Sequence, residues 1–362
     1  RGKEEPAMME CAGPESRLAD VASYEFVPYE EERGRCPRWE WNATEAITKA
    51  LLRMPNGMFV VGDSLGEQVM ASLRSLLGLG ILIEQSGRNA ALSKGKPVTA
   101  WKLQTLIPSS DLYKSLLQSG EFTEERLRRP LVTFIRSHHL ASNNDLRKWI
   151  AGGSNNPHLA DEISRVGYSY GSDTNWLDFV SRSLVLHQNY GQQRGAASFR
   201  PTVVLISSGP HWSDKHFSNL HQHEADEMLQ AGYEAMIQHT LANIPSNPNL
   251  HLIVQGSNPV RDSCSQSPQS PSFLDTLTYK HPQAPTRYNY YMFPLFDKMW
   301  KSAIKKYTGR ARVEFFDQAR MMAPRTDAAK SPDKGDCLHF CIPALYEKTR
   351  IIFSYMLRLN PE

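Results

Sequence analysis

Apolar residues cluster in this chain in two recurrent patterns. Met58-Phe59-Val60-Val61 is a short unbroken apolar run that stops at Gly62-Asp63-Ser64. Beyond it Leu65, Val69, Leu73, Leu76 and Leu77 recur near the helical period, up to the glycines Gly78 and Gly80. The first pattern predicts a buried strand and the second an amphipathic helix, so Ser64 falls where a strand hands over to a helix. The same alternation returns down the chain. Runs at 131–136, 202–207, 250–255 and 313–316 read as further strands, the β-branched Thr202-Val203-Val204-Leu205-Ile206-Ser207 most clearly. Helical periodicity is read over 43–54, 175–188, 221–243, 296–307 and from Pro343 onward. Polar, Gly- or Pro-rich stretches at 84–97, 143–158, 262–286 and 323–335 read as loops and insertions. Five strands alternating with helices predict an α/β fold, a doubly wound and mainly parallel sheet in one domain over 43–362. Residues 1–42, with four prolines and scattered aromatics, read as an irregular arm packed on that body.

Composition narrows the class. Of 362 residues, 40% are hydrophobic and 22% charged, a globular balance without long single-sign blocks. The net charge of +3 is spread along the chain and forms no basic, aromatic-interleaved stripe, which argues against nucleic-acid binding. No apolar run is long enough to cross a bilayer. The chain opens at Arg1, and a targeting or anchor segment upstream is the expectation. Five cysteines, Cys11, Cys36, Cys264, Cys337 and Cys341, are compatible by spacing with disulfides, a metal site or core thiols. Asn42-Ala43-Thr44 is a glycosylation sequon, usable in a secretory compartment.

The chemistry follows from position. A serine hydroxyl needs a histidine to take its proton and a carboxylate to orient that histidine. Asp336 and His339 fall between the last predicted strand and the last helix, while Ser64 follows the first strand. In an open parallel sheet both places lie at the carboxyl ends of strands, where such folds build their sites. Ser64 is then the nucleophile, His339 the base and Asp336 its orienter, with Asp63 shaping the turn.

Three ordered blocks carry a resemblance: Val60-Val61-Gly62-Asp63-Ser64-Leu65, Ser207-Ser208-Gly209-Pro210-His211-Trp212 and Gly335-Asp336-Cys337-Leu338-His339-Phe340-Cys341. They resemble the PC-esterase branch of the SGNH hydrolases, which includes the trichome-birefringence-like polysaccharide O-acetyltransferases of plants and fungal relatives. The resemblance implies a three-layer α/β/α fold around a five-stranded sheet, with long loop insertions, and a Ser64–His339–Asp336 triad. It implies acyl transfer to or from the O-acetyl groups of a polysaccharide or oligosaccharide. No cofactor is expected to stay bound; an acetyl donor, acetyl-CoA or another acetyl ester, is the cosubstrate. The expected setting is the Golgi lumen or the cell exterior, as a monomeric ectodomain of a secreted or membrane-anchored protein. Where the family offers Asn-x-Gly-x-His-Trp, with the Asn holding the oxyanion, this chain has Ser207, so Ser207, Gly209 or His211 is the candidate donor. The resemblance also pairs Cys11 with Cys36 and Cys264 with Cys337, and leaves Cys341 over.

Several features admit two readings. Arg136, at a strand end, is a substrate contact or an ordinary salt bridge, and Trp212 a substrate contact or packing. Tyr288, Tyr290, Tyr291 and the N-terminal tryptophans form a sugar-stacking wall or pack the arm. The cluster His211, His216, His221, His223 and Glu224 resembles a zinc set, but a solvated helix entry is the preferred reading, and no metal is expected. An acetylesterase is the runner-up, and a non-catalytic glycan-binding module on the same scaffold is the rival of another class.

Overall fold

The computed structural model describes residues 41–358 except 79, 94–95, 143–144, 147, 150–175, 183–201, 214–220, 260–288, 323–328 and 332–335. The first half comprises α1 (Ala43–Arg53), β1 (Met58–Gly62), α2 (Ser64–Leu77), β2 (Leu82–Ser93), β3 (Lys96–Leu106), α3 (Asp111–Gln118), α4 (Glu124–Arg128) and β4 (Val132–Arg136). After it come β5 (Thr202–Ile206), α5 (Gln222–Asn243), β6 (Leu250–Gln255), α6 (Phe293–Lys306), β7 (Arg312–Phe316) and α7 (Gln318–Met322). The chain closes with β8 (Ala329–Ser331), β9 (Asp336–Phe340) and α8 (Ile342–Arg358).

Local chemistry sets the helix starts. Asn42, Asp63, Ser110 and Thr123 each accept a backbone N–H of the following turn, replacing a hydrogen bond the first turn lacks. Pro294 stands in the first turn of α6, where the missing N–H costs nothing.

The sheet runs β2-β3-β4-β1-β5-β6-β7. From β4 to β7 all pairings are parallel, whereas β2 pairs with β3 and β3 with β4 antiparallel. The inner parallel strands β1, β4, β5 and β6 are largely apolar and buried because both faces are covered, whereas β7 at the edge carries Arg312 and Glu314 and is only partly buried. Phe59, Val61, Ile135, Val204 and Ile206 join the core under α5 and α6, which contribute Tyr233, Met236, Phe296 and Trp300. Met58, Val60, Phe134, Val203 and Leu205 face the other way, against Ile47, Leu51, Val69, Leu73 and Phe353 of α1, α2 and α8. Period-two alternation thus feeds two cores from one strand.

The sequence reading needs correction in three places. The sheet has seven strands, not five, and the expected loop at 84–97 lies mostly within the β2–β3 hairpin. Its residues, among them Glu84, Gln85 and Arg88, lack the apolar alternation that marks a strand; backbone pairing to β3, itself paired to β4, holds them instead. The expected loop at 323–335 likewise contains β8, and Asp336–His339 beyond it is part of β9, paired antiparallel with β8 in a separate two-stranded ribbon. The helix read at 175–188 is present over 176–182, with the remainder outside the described residues. So is the arm at 1–42, except Trp41 and Asn42. Trp41 donates from Nε1 to Leu76 O and packs edge-on against Phe353, far down α2 from Ser64, so it packs the body rather than lining a sugar wall.

Gly62, at the end of β1, lies against Ser207. A Cβ there would stand 2.4 Å from Ser207 Oγ and 2.7 Å from the Ser207 carbonyl oxygen. Under α8, Lys348 is fully buried and donates from Nζ to Gln318 Oε1 (2.8 Å), while Gln318 Nε2 donates to Gly256 O. Burial pushes the Lys348 ammonium down to about 7.

Two outcomes follow. Gly62→Ala should destabilise by about 1–3 kcal/mol in urea titrations, and adding Ser207→Ala should recover only part, because the contact with the carbonyl stays; full recovery would contradict the geometry. For Lys348 the unfolded chain holds its proton to about 10.5 and the native state only to about 7, so stability should climb between those limits. Urea midpoints at pH 7, 8 and 9 should rise less steeply in Lys348→Met than in the parent, and parallel curves would refute the depressed titration.

Candidate active site

Ser64 is the only residue from Gly57 to Leu73 that is not buried. It opens α2 beyond the end of β1. Asp63 before it is sealed from solvent, its Oδ1 accepting from Leu65 N (2.9 Å) and its carbonyl from Glu67 N (3.1 Å). Burial pushes the Asp63 carboxyl up to about 6 against that hydrogen bond and the nearby His339 and Arg136. Asp63 thus shapes the turn, as the sequence suggested, and leaves the reacting position to its neighbour.

The base arrives from β9. Ser64 Oγ lies 2.8 Å from His339 Nε2, and His339 Nδ1 lies 3.0 and 3.1 Å from the two Asp336 carboxylate oxygens. His339 N also donates to Asp336 Oδ1 (3.2 Å). Burial pushes the Asp336 carboxyl up, but the hydrogen bonds and charge of His339 outweigh it and hold it below its usual value. A carboxylate only accepts, so Nδ1 carries the proton and Nε2 is left to accept from Ser64. The three residues are half-buried, which leaves the hydroxyl reachable.

Two buried amides that the sequence reading passed over hold this arrangement. Gln68 Nε2 donates to Phe340 O (2.6 Å), and Gln68 Oε1 accepts from Phe340 N (3.4 Å). From the other side Asn258 Nδ2 donates to Leu338 O (3.2 Å). The residues on either side of His339 are therefore tied down, one of them by the helix that carries Ser64. Gln68 lies four residues after Ser64, hence on the same helix face, and that spacing was the signal available.

The other candidates fare differently. Ser207 Oγ is turned into the crevice between Gly62 and Gly66, buried and with no hydrogen-bond partner. Gly209 lies three residues past the carboxyl end of β5, the strand beside β1, with Ser257 Oγ and the Phe293 ring as the nearest groups a Cβ there would meet. Trp212 is fully buried; its Nε1 donates to Ser208 Oγ (3.0 Å) and its ring meets Tyr233 and His139, so it packs the core. His211 stacks on His138 at 4.1 Å, and its carbonyl lies 3.0 Å from His139 Nε2, a histidine pair not singled out in the sequence. Arg136 pairs with Glu67, which also binds Lys102 (2.7 Å), making it part of an ion-pair cluster one turn below Ser64. Tyr291 donates its hydroxyl to Asp226 (2.5 Å) and is buried, so it too is packing. Tyr288 lies outside the described residues.

Glu224 accepts from His221 N (3.2 Å) at the start of α5, and His223 faces Glu227 on the helix surface. His216 lies outside the described residues, and among those described no three His, Cys, Asp or Glu side chains form a metal-sized group. Cys341, left over by the resemblance, is disulfide-bonded. Only four other cysteines exist, so the pairs Cys11–Cys36 and Cys264–Cys337 cannot both form alongside it. The sequon residue Asn42 is exposed and caps α1. Among the described residues no helix is long and apolar enough to cross a membrane.

Compared with known proteins, the chain matches no protein-family model and no curated protein. The fold and geometry define an α/β protein with a Ser–His–Asp relay at the carboxyl edge of its parallel strands.

Gln68→Met keeps the side-chain volume and removes both bonds to Phe340. Loosening the base in this way should slow fluorophosphonate modification of Ser64 by about 10- to 100-fold, with the thermal midpoint lowered only a few degrees. An unchanged rate in a folded variant would show that the clamp does not position His339.

Proposed function

We propose that this protein is a serine acyl-transfer enzyme of the SGNH type acting on O-acetyl groups of a polysaccharide or oligosaccharide, first of all as an O-acetyltransferase. The relay Ser64 Oγ to His339 Nε2 (2.8 Å) to Asp336 carries the reading. Supporting it are the three sequence blocks, in their order, and the place of Ser64 at a helix start where backbone N–H groups are unspent.

In the first half-reaction His339 Nε2 takes the Ser64 proton as Oγ attacks the acetyl carbonyl of the donor. The tetrahedral oxyanion collapses with loss of the donor's alcohol or thiol, which takes the proton back from His339, leaving an acetyl ester on Ser64. In the second, His339 deprotonates a sugar hydroxyl, which attacks that ester and releases Ser64 in its starting state. Asp336 holds the imidazole tautomer and stabilises its charge in both. For the oxyanion, the donors best placed are the backbone N–H groups of Ser64 and Gly209. Neither donates to another group among the described residues, and both follow the carboxyl ends of adjacent strands, β1 and β5. Ser207, whose hydroxyl is turned under Gly62, is assigned to packing. Water in place of the sugar makes the same site an acetylesterase.

A fluorophosphonate should label Ser64 in the parent and fail in Ser64→Ala. In mass spectra of unacetylated oligosaccharides incubated with an acetyl donor, acetylated products should appear. Acetate release without transfer would turn the assignment to an esterase, and an unlabelled parent would overturn the serine mechanism.

A further inference from the structure

A cleft of about 120 Å³ opens at the carboxyl edge of the sheet, between the end of β6 and the first turns of α6. It shares a supporting residue with the site already described. Asn258, on its wall, is the residue that ties down Leu338 beside His339. Gly209, just past the end of β5, borders it too: a Cβ on Gly209 would lie 3.3 Å from Ser257 Oγ and 3.9 Å from the Phe293 ring, both cleft residues. We propose that this cleft is a subsite for a neutral sugar residue of the glycan, next to the residue whose oxygen meets Ser64; the assignment rests on the glycan reading above.

Asp297 supplies the first argument. Its side chain is more than nine-tenths buried yet lines the cleft. Oδ1 accepts from Ser257 N (2.9 Å) and Ser257 Oγ (3.1 Å), while Oδ2 makes no hydrogen bond among the described residues. A carboxyl held by one oxygen leaves the other for a ligand. Burial pushes this group up to about 7, so near neutral pH it offers a donor or an acceptor. Sugar hydroxyls use both.

Charge supplies the second. The cations on the wall, Lys301 and Arg320, are both engaged by Asp317, at 2.7 and 3.5 Å, and Lys301 also lies 4.7 Å over the Phe315 ring. With Asp297 ionised the wall carries two cations and two carboxylates, so no net positive charge remains to hold a uronate, and Asp317 and Asp297 would oppose one. A neutral pyranose meets no such penalty. The third argument is shape: Tyr290 and Phe293 form an edge-to-face pair at 5.7 Å in the cleft lining, one helical turn from Asp297, an apolar surface for the C–H face of a sugar ring.

The test uses Ser64→Ala, which binds without turnover, titrated calorimetrically with xylohexaose, cellohexaose, mannohexaose and an oligogalacturonate. At least one neutral hexamer should bind more tightly than the oligogalacturonate. Adding Tyr290→Ala or Asp297→Asn should weaken it at least tenfold. Asp297→Asn retains the acceptor for Ser257, and Tyr290→Ala changes only the cleft rim, so a melt that matches the parent certifies either variant. Binding undiminished by both changes, preference for the oligogalacturonate, or no neutral hexamer bound while Ser64 still labels would each overturn the subsite. Retained, Tyr290-dependent binding with no labelling of the parent would instead sink the acyl-transfer reading and leave the subsite standing.

Discussion

The hydrogen bond between Ser64 and His339 joins side chains 275 positions apart, and the site depends on both ends being fixed independently. One end is set by β1 and the start of α2, where Gly62 lets the chain pass close to Ser207 and Asp63 caps the helix. The other end belongs to a short ribbon outside the main sheet. A two-stranded ribbon is weakly held by itself. Gln68 and Asn258 provide what it lacks, anchoring Phe340 and Leu338 to the body and so fixing His339 to within hydrogen-bond reach. The helix that presents the nucleophile also aligns the base.

Buried ionisable groups gather around this edge. Asp63 and Asp297 are held above the usual carboxylate range by burial, and Lys348 well below the usual ammonium range. Each has a defined backbone or amide partner: Leu65 N, Ser257 N and the Gln318 amide. Partners of this kind fix geometry more than they add stability, because desolvation consumes much of the gain. The Gln318 amide that receives Lys348 also reaches Gly256, beside the residues that line the cleft. Polar burial here is spent on placing the ends of β6 and β7.

Much of this was legible in the residues. The five parallel strands are those the apolar runs marked, because the four inner ones are covered on both faces and the edge strand β7 keeps Val313, Phe315 and Phe316. Ser64, Asp336 and His339 were legible from their places relative to strands and helices. The β2–β3 hairpin was not, since Glu84 and Lys102 sit in an ion-pair cluster and mask any alternation. Nor was the inward turn of Trp212, whose position beside His211 reads equally well as a binding motif. Cys341 is bonded where the resemblance left it over, because resemblance transfers pairs one at a time and cannot see which cysteine the fold brings near. The clamps from Gln68 and Asn258 are long-range contacts, which only the packed chain reveals.

The most direct test of the account is to trap the intermediate. Protein mixed briefly with an activated acetyl ester, quenched in acid, digested and sequenced by mass spectrometry should carry one acetyl group on Ser64, and the His339→Ala variant should carry none at that position. Acetylation confined to lysines, or acetyl-Ser64 formed equally fast without His339, would contradict a Ser64–His339–Asp336 acyl-transfer site.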